Sequence, residues 1–122
     1  MAKLKEFRID AFSYPMNSSH LIINGKGEVK TFSGMNVKIS KIKKLQSFLQ
    51  ALDSALILDF KALGKYKDAE NHYHISVIYE DDTEESHYYV DNLVKNSQNS
   101  LRDVLIKYID KDYLIDVVLE DK

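Results

Sequence analysis

The chain has 122 residues, 44% hydrophobic and 30% charged, a balance that suits one ordinary globular core and argues against a disordered or fibrous class. It has no cysteine, which excludes disulfides and thiolate sites and fits a reducing compartment. The net charge of −2 hides an asymmetry, because residues 1–50 carry net +6 and residues 51–122 net −8; such a split serves solubility, mutual attraction of the halves, or a polar interaction surface.

Lys5 to Tyr14 alternates, with Phe7, Ile9 and Ala11 on one side and Arg8, Asp10 and Phe12 on the other. That is the period of a strand. Tyr14-Pro15-Met16-Asn17-Ser18 ends it, since proline lacks the ladder donor. His20 to Ile23 begins a second strand. Asn24-Gly25-Lys26-Gly27 is the strongest turn signal in the chain, and Glu28 to Ser33 returns from it. Two placements of that turn leave the register open.

Gly34-Met35-Asn36 is read as leading into a first helix, capped by Asn36 or Ser40. Ile42, Leu45, Leu49, Leu52 and Leu56 form its apolar stripe, with Ile39 and Phe48 at the flanks. Leu56 to Phe60 either extends this helix or forms a short buried strand. Gly64 and Lys65-Tyr66-Lys67-Asp68 read as a loop back to the sheet.

Tyr73 to Tyr79 is a strand, Asp81-Asp82-Thr83-Glu84 a turn, and Glu85 to Val90 the partner strand. With Asp82-Thr83 at the tip, Tyr79 faces Ser86, Val77 faces Tyr88 and Ile75 faces Val90. Tyr88 then points to the core, and Tyr89 points away from it with His74, His87 and Asp91. Leu101, Val104, Leu105, Tyr108 and Ile109 have helical spacing, with Ser100 or Ser97 as cap. Tyr113 to Leu119 is β-branched and apolar, and reads as a final strand.

The expected fold is therefore α+β. An antiparallel sheet of two hairpins plus terminal strands carries two helices on one face. Residues 1–122 form one domain with strand–strand–helix units at about 19–54 and 73–109. The order of hairpin, helix, loop with Tyr66-Lys67-Asp68, hairpin and helix resembles small uncharacterised bacterial domains built of paired units of this kind. The likeness covers about residues 5–110. It departs from their pattern in having no proline before the final helix. It implies a fold and no activity.

Sequence motifs for catalysis are sparse. There is no Gly-x-Ser-x-Gly elbow and no phosphate-binding Gly-rich loop, because Gly25-Lys26-Gly27 joins two strands rather than opening a helix. His72 and His74 share a strand face, and Asp91 lies opposite His74 in the register above. Two imidazoles and a carboxylate are a metal-ligand set. His87 falls four residues further along, ~13 Å away, too far to share the ion. Lys38, Lys41, Lys43 and Lys44 spread around the first helix, and the second half is acidic, which argues against nucleic acid.

Glu80, Asp81, Asp82, Glu84 and Glu85 crowd one hairpin tip, beside His87 and Tyr89. The expected function is a non-catalytic, cofactor-free protein-binding module using these residues. A bacterial toxin-neutralising immunity protein has this profile, with a basic toxin or nuclease as partner. The alternative is a small metal-dependent enzyme or ligand-binding domain using His72, His74 and Asp91. Met1 to Phe12 lacks the apolar stretch of a signal peptide, and the longest apolar run, Ala55-Leu56-Ile57-Leu58, is far short of the ~20 residues of a membrane span, so a soluble, cytoplasmic protein is expected. An exposed edge strand leaves pairing with a second copy open.

Overall fold

A computed structural model describes residues 3–13, 17–62, 72–90 and 99–119. Six strands form one antiparallel sheet: β1 (Leu4–Ser13), β2 (Asn17–Asn24), β3 (Glu28–Ser33), β4 (Asn36–Lys41), β5 (His72–Tyr79) and β6 (Glu84–Val90). Their order across the sheet is β4-β3-β2-β1-β5-β6, so β1 sits inside, between β2 and β5. Helix α1 (Leu45–Ala62) follows β4, and α2 (Asn99–Tyr108) follows β6. A 3-10 turn (Lys111–Tyr113) and a short helix α3 (Asp116–Leu119) complete the described chain. The α+β class and the two hairpins are as expected. The Pro15 turn, Gly64, Tyr66-Lys67-Asp68, Asp91 and Ser97 lie outside the described residues.

Alternation decides which face is dry. Phe7 and Ile9, Leu21 and Ile23, Val29, Tyr73, Ile75 and Val77, and Tyr89 all point to one side and are buried. They share a core with Phe48, Leu52, Ala55 and Leu56 of α1, and with Leu101 and Leu105 of α2. The helices meet through Phe48 and Tyr108, whose rings pack edge to face at 5.7 Å. The opposite face carries none of the described helices. No helix among the described residues is long and apolar enough to cross a membrane.

Three elements differ from expectation. First, Asn36–Lys41 is a strand and not the start of a helix. Ile39 and Ile42 fit a helical stripe by spacing, but Gly34 has φ +61 at the first position of a two-residue loop, a hairpin geometry. Ser33 pairs with Asn36, and β4 folds back on β3. The helix begins only at Leu45 and continues through residues 56–60. The first unit is therefore three strands and a helix.

Second, the β5–β6 register is shifted by three. Ile78 pairs with Glu84, Val77 with Glu85 and Ile75 with His87. The loop is three residues long: the Asp82 N–H donates to the Tyr79 carbonyl at 2.9 Å, the Tyr79 N–H to Thr83 at 2.9 Å, and Asp82 takes φ +65. An odd shift exchanges the faces of β6. Tyr89 is consequently 2% exposed, and Tyr88 51%.

Third, residues 113–119 add no strand. Leu114, Ile115, Val117 and Val118 are all buried, a helical spacing that strand alternation cannot satisfy. Thr31 Oγ1 donates to the Tyr113 carbonyl, and Arg102 donates to the carbonyls of Val118 (2.8 Å) and Leu119 (3.3 Å). These bonds hold the segment against β3 and α2.

Candidate functional site

The face of the sheet opposite the described helices carries the densest chemistry. Arg8, Asp10 and Phe12 alternate outward along β1. Antiparallel pairing sets His20 of β2 on one side of Asp10 and His74 of β5 on the other. The row continues through Phe32 and Val37 at one end and Tyr88 at the other. One line of side chains thus crosses all six strands: Val37, Phe32, His20, Asp10, His74, Tyr88.

Asp10 is the hub and is only 8% exposed. Arg8 Nε donates to its Oδ2 at 3.1 Å, and Arg8 Nη2 to its Oδ1 at 3.0 Å. His20 Nδ1 lies 2.5 Å from Oδ1; a carboxylate only accepts, so this nitrogen carries the proton of the bond. His74 Nδ1 stands further off, 3.8 Å from Oδ2. Burial pushes the Asp10 pKa up, but the bonds from Arg8 and His20 outweigh it and leave the carboxyl below its usual range. The same bond raises Arg8. Burial lowers His74 more than Asp10 raises it, so its imidazole is neutral at neutral pH.

Aromatic rings frame this hub. His74 stacks on Tyr88 with centroids 4.3 Å apart, and Phe12 stacks on His72 at 5.2 Å. His20 meets Phe12 at 6.1 Å and Phe32 at 6.5 Å, both edge to face.

Ser76, His74 and Asp10 are adjacent, but they do not form a nucleophilic triad. Ser76 Oγ is 3.2 Å from His74 Nε2 and 3.5 Å from Nδ1. An atom nearly equidistant from both nitrogens at that range sits over the ring, since in the ring plane it would overlap carbon. It is off the lone-pair axis a general base requires. Ser76 is also buried.

The expected site residues divide. His72 and His74 do share the open face. The ladder partner of His74 is Tyr88, where Asp91 was expected, and Asp91 lies outside the described residues. Among the described residues, no three His, Cys, Asp or Glu side chains gather as a metal site. At the hub the physical reason is Arg8, a fixed cation already on both oxygens of Asp10.

His87 and Tyr89 fall on the helix side, contrary to expectation. Tyr89 packs on Tyr73 at 5.3 Å inside the core, and His87 Nε2 lies 3.2 Å from Glu85. Glu80, Asp81, Asp82, Glu84 and Glu85 are all exposed. Lys5 Nζ reaches Asp82 at 3.2 Å, and Asp81 accepts from Thr83 N–H at 3.1 Å and Thr83 Oγ1 at 2.6 Å. Those Thr83 bonds hold the Asp81 carboxyl below its usual range.

A groove of about 470 Å³ on the helix side runs between the start of β1 and α1, lined by Leu49, Gln50, Asp53 and Glu80 among others. Burial pushes Asp53 up there.

Arg8, Asp10 and His20 were missed as site residues. The signal was the outward series Arg8-x-Asp10-x-Phe12, which becomes a site only once β1 is known to lie between two histidine-bearing strands. Compared with known proteins, the chain matches no family model and no curated protein.

Proposed function

We propose that the chain is a non-catalytic protein-binding module whose contact surface is the open sheet face together with the acidic β5–β6 tip. One observation carries this reading: a sheet face clear of the described helices, with aromatic rings around a saturated Arg8–Asp10–His20 hub. Aromatic and arginine side chains around a desolvated centre are the composition of binding hot spots. The hub has its hydrogen bonds already made, so docking over it strands no charge.

Glu84 continues this face to its acidic end, where Glu80, Asp81 and Asp82 follow in the loop. Exposed carboxylates at a rim steer a basic partner and set its orientation. A toxin-neutralising immunity protein acting on a basic nuclease fits that chemistry, as an analogy of class.

The test is crosslinked capture from native lysate, read by mass spectrometry. Phe32→Ala with Tyr88→Ala should lose the partner. Glu84→Lys with Glu85→Lys should slow its association. Ile57→Ala, an exposed apolar change on α1, should retain it. A partner that all three variants capture equally rules out this surface.

A further inference from the structure

The two edges of the sheet match one another. On β4, the Ile42 N–H donates inward to Gly27 at 2.8 Å. Backbone direction alternates along a strand, so the main-chain groups of Lys41, Ile39 and Val37 point outward. On β6, the Thr83 carbonyl points inward to Tyr79, so those of Glu84 and Ser86 point outward. Among the described residues, no strand pairs with either outer side.

Side chains repeat the match. Val37 is 54% exposed and Ile39 64%, both at the β4 edge, and Tyr88 is the large exposed ring at the β6 edge. β4 carries Lys38 and Lys41 and no acid; β6 carries Glu84 and Glu85 and no Lys or Arg. Six antiparallel strands also leave the two edges running in opposite directions.

We infer that copies of this chain associate head to tail, β4 of one copy pairing antiparallel with β6 of the next. Lys41 then lies opposite Glu84, Ile39 opposite Ser86, and Val37 opposite Tyr88. All six share the open face, and the outward groups of Lys41 and Ile39 meet those of Glu84 and Ser86. Lys38 falls opposite His87, next to Glu85. Symmetric pairing of two β4 edges would satisfy the backbone but bring lysines together with no acid between them. Head-to-tail pairing leaves a free edge at each end, so it grows rather than closing at two copies. This pairing shares Glu84 and Tyr88 with the proposed partner surface, but its test is read on the isolated chain, so the two can fail separately.

Sedimentation of the purified full chain over a range of concentrations tests it. The average mass should rise without a two-copy plateau and fall as salt is added. Ile39→Pro removes an outward donor and spares the β3 ladder, so it should give a monomer with an unchanged circular dichroism spectrum. Glu84→Lys should weaken association about tenfold, the effect of turning one attractive cross-strand pair repulsive. Adding Lys41→Glu to that variant should restore it. A monomer at every concentration overturns the inference. So does a dimer that plateaus and ignores Glu84→Lys, which marks symmetric β4 pairing.

Discussion

The β2–β3 and β5–β6 hairpins turn through the same geometry with different residues. In each, a three-residue loop is closed by an N–H to C=O bond, from Gly27 to Asn24 at 3.0 Å and from Asp82 to Tyr79 at 2.9 Å. In each, the third loop residue is left-handed, Gly27 at φ +83 and Asp82 at φ +65. The surroundings differ. Gly25 donates to the Lys5 carbonyl at 3.0 Å, and Gly27 sits beneath Leu45 and Ile42. The β5–β6 loop also hangs on β1, Glu80 N–H donating to the Lys3 carbonyl at 2.8 Å, but its residues are exposed, and Lys5 reaches Asp82 across solvent. One loop is a packing joint that requires glycine for space as well as for angle. The other needs only the angle, which aspartate tolerates, and is free to carry charge.

Changes at the first loop should have the largest effects. A Cβ at Gly25 would overlap the Leu4 carbonyl oxygen, which is backbone and cannot step aside. Gly25→Ala should cost about 3 kcal/mol in urea unfolding. Gly27→Ala meets the left-handed penalty and places a Cβ 3.0 Å from the Leu45 methyl; a loss of about 1–2 kcal/mol is expected in the same assay. If both variants unfold like the native chain, the first loop is no joint.

The hairpins also differ at Asp10, where each delivers one histidine: His20 in contact, His74 held off. The folded-state pKa of His74 is lowered, so the unfolded chain binds more protons there. Its contribution is whole above about 6.5 and is lost as pH falls from that value through the folded pKa. Asp10 is also lowered, so its contribution is present above about 3.9 and disappears as pH falls through its folded pKa. Urea midpoints against pH should therefore decline in two separate acid steps. His74→Phe keeps a ring on Tyr88 and should erase the upper step; Asp10→Asn should shrink the lower one, to which the lowered Asp81 and Glu28 carboxyls also contribute.

The smallest effect belongs to the second loop. Asp82→Gly relieves the left-handed backbone and gives up the exposed Lys5 pair, for a net gain of about 0.5 kcal/mol. The gain should show as a slightly higher melting temperature, and a loss would mean the Asp82 side chain supports the turn.

Much of the fold was legible because burial imposes periods. The alternation of β1 and β5 and the stripes of α1 and α2 each point to one dry face. The β5–β6 register was not legible, because a two-residue and a three-residue turn both fit Glu80 to Glu84, and the choice between them inverts Tyr88 and Tyr89. The strand at Asn36–Lys41 hid because Ile39 and Ile42 suit a helix equally well. At the site, His72 and His74 were visible as neighbours within one strand. Their meeting with Asp10 depends on β5 lying beside β1, a long-range pairing that no local pattern encodes.

That placement of β1 has a consequence for the order of folding. β1 through β4 are contiguous in sequence and can fold as a meander soon after synthesis, through local contacts that close quickly. The second neighbour of β1 arrives only about sixty residues after it, when Phe12 meets His72. Until then only α1 is available to cover Phe7, Ile9, Leu21 and Ile23, α2 has yet to be made, and β1 is a bare edge. A nascent chain halted before residue 72 should be an aggregation-prone half sheet, and the step that rescues it is the docking of β5.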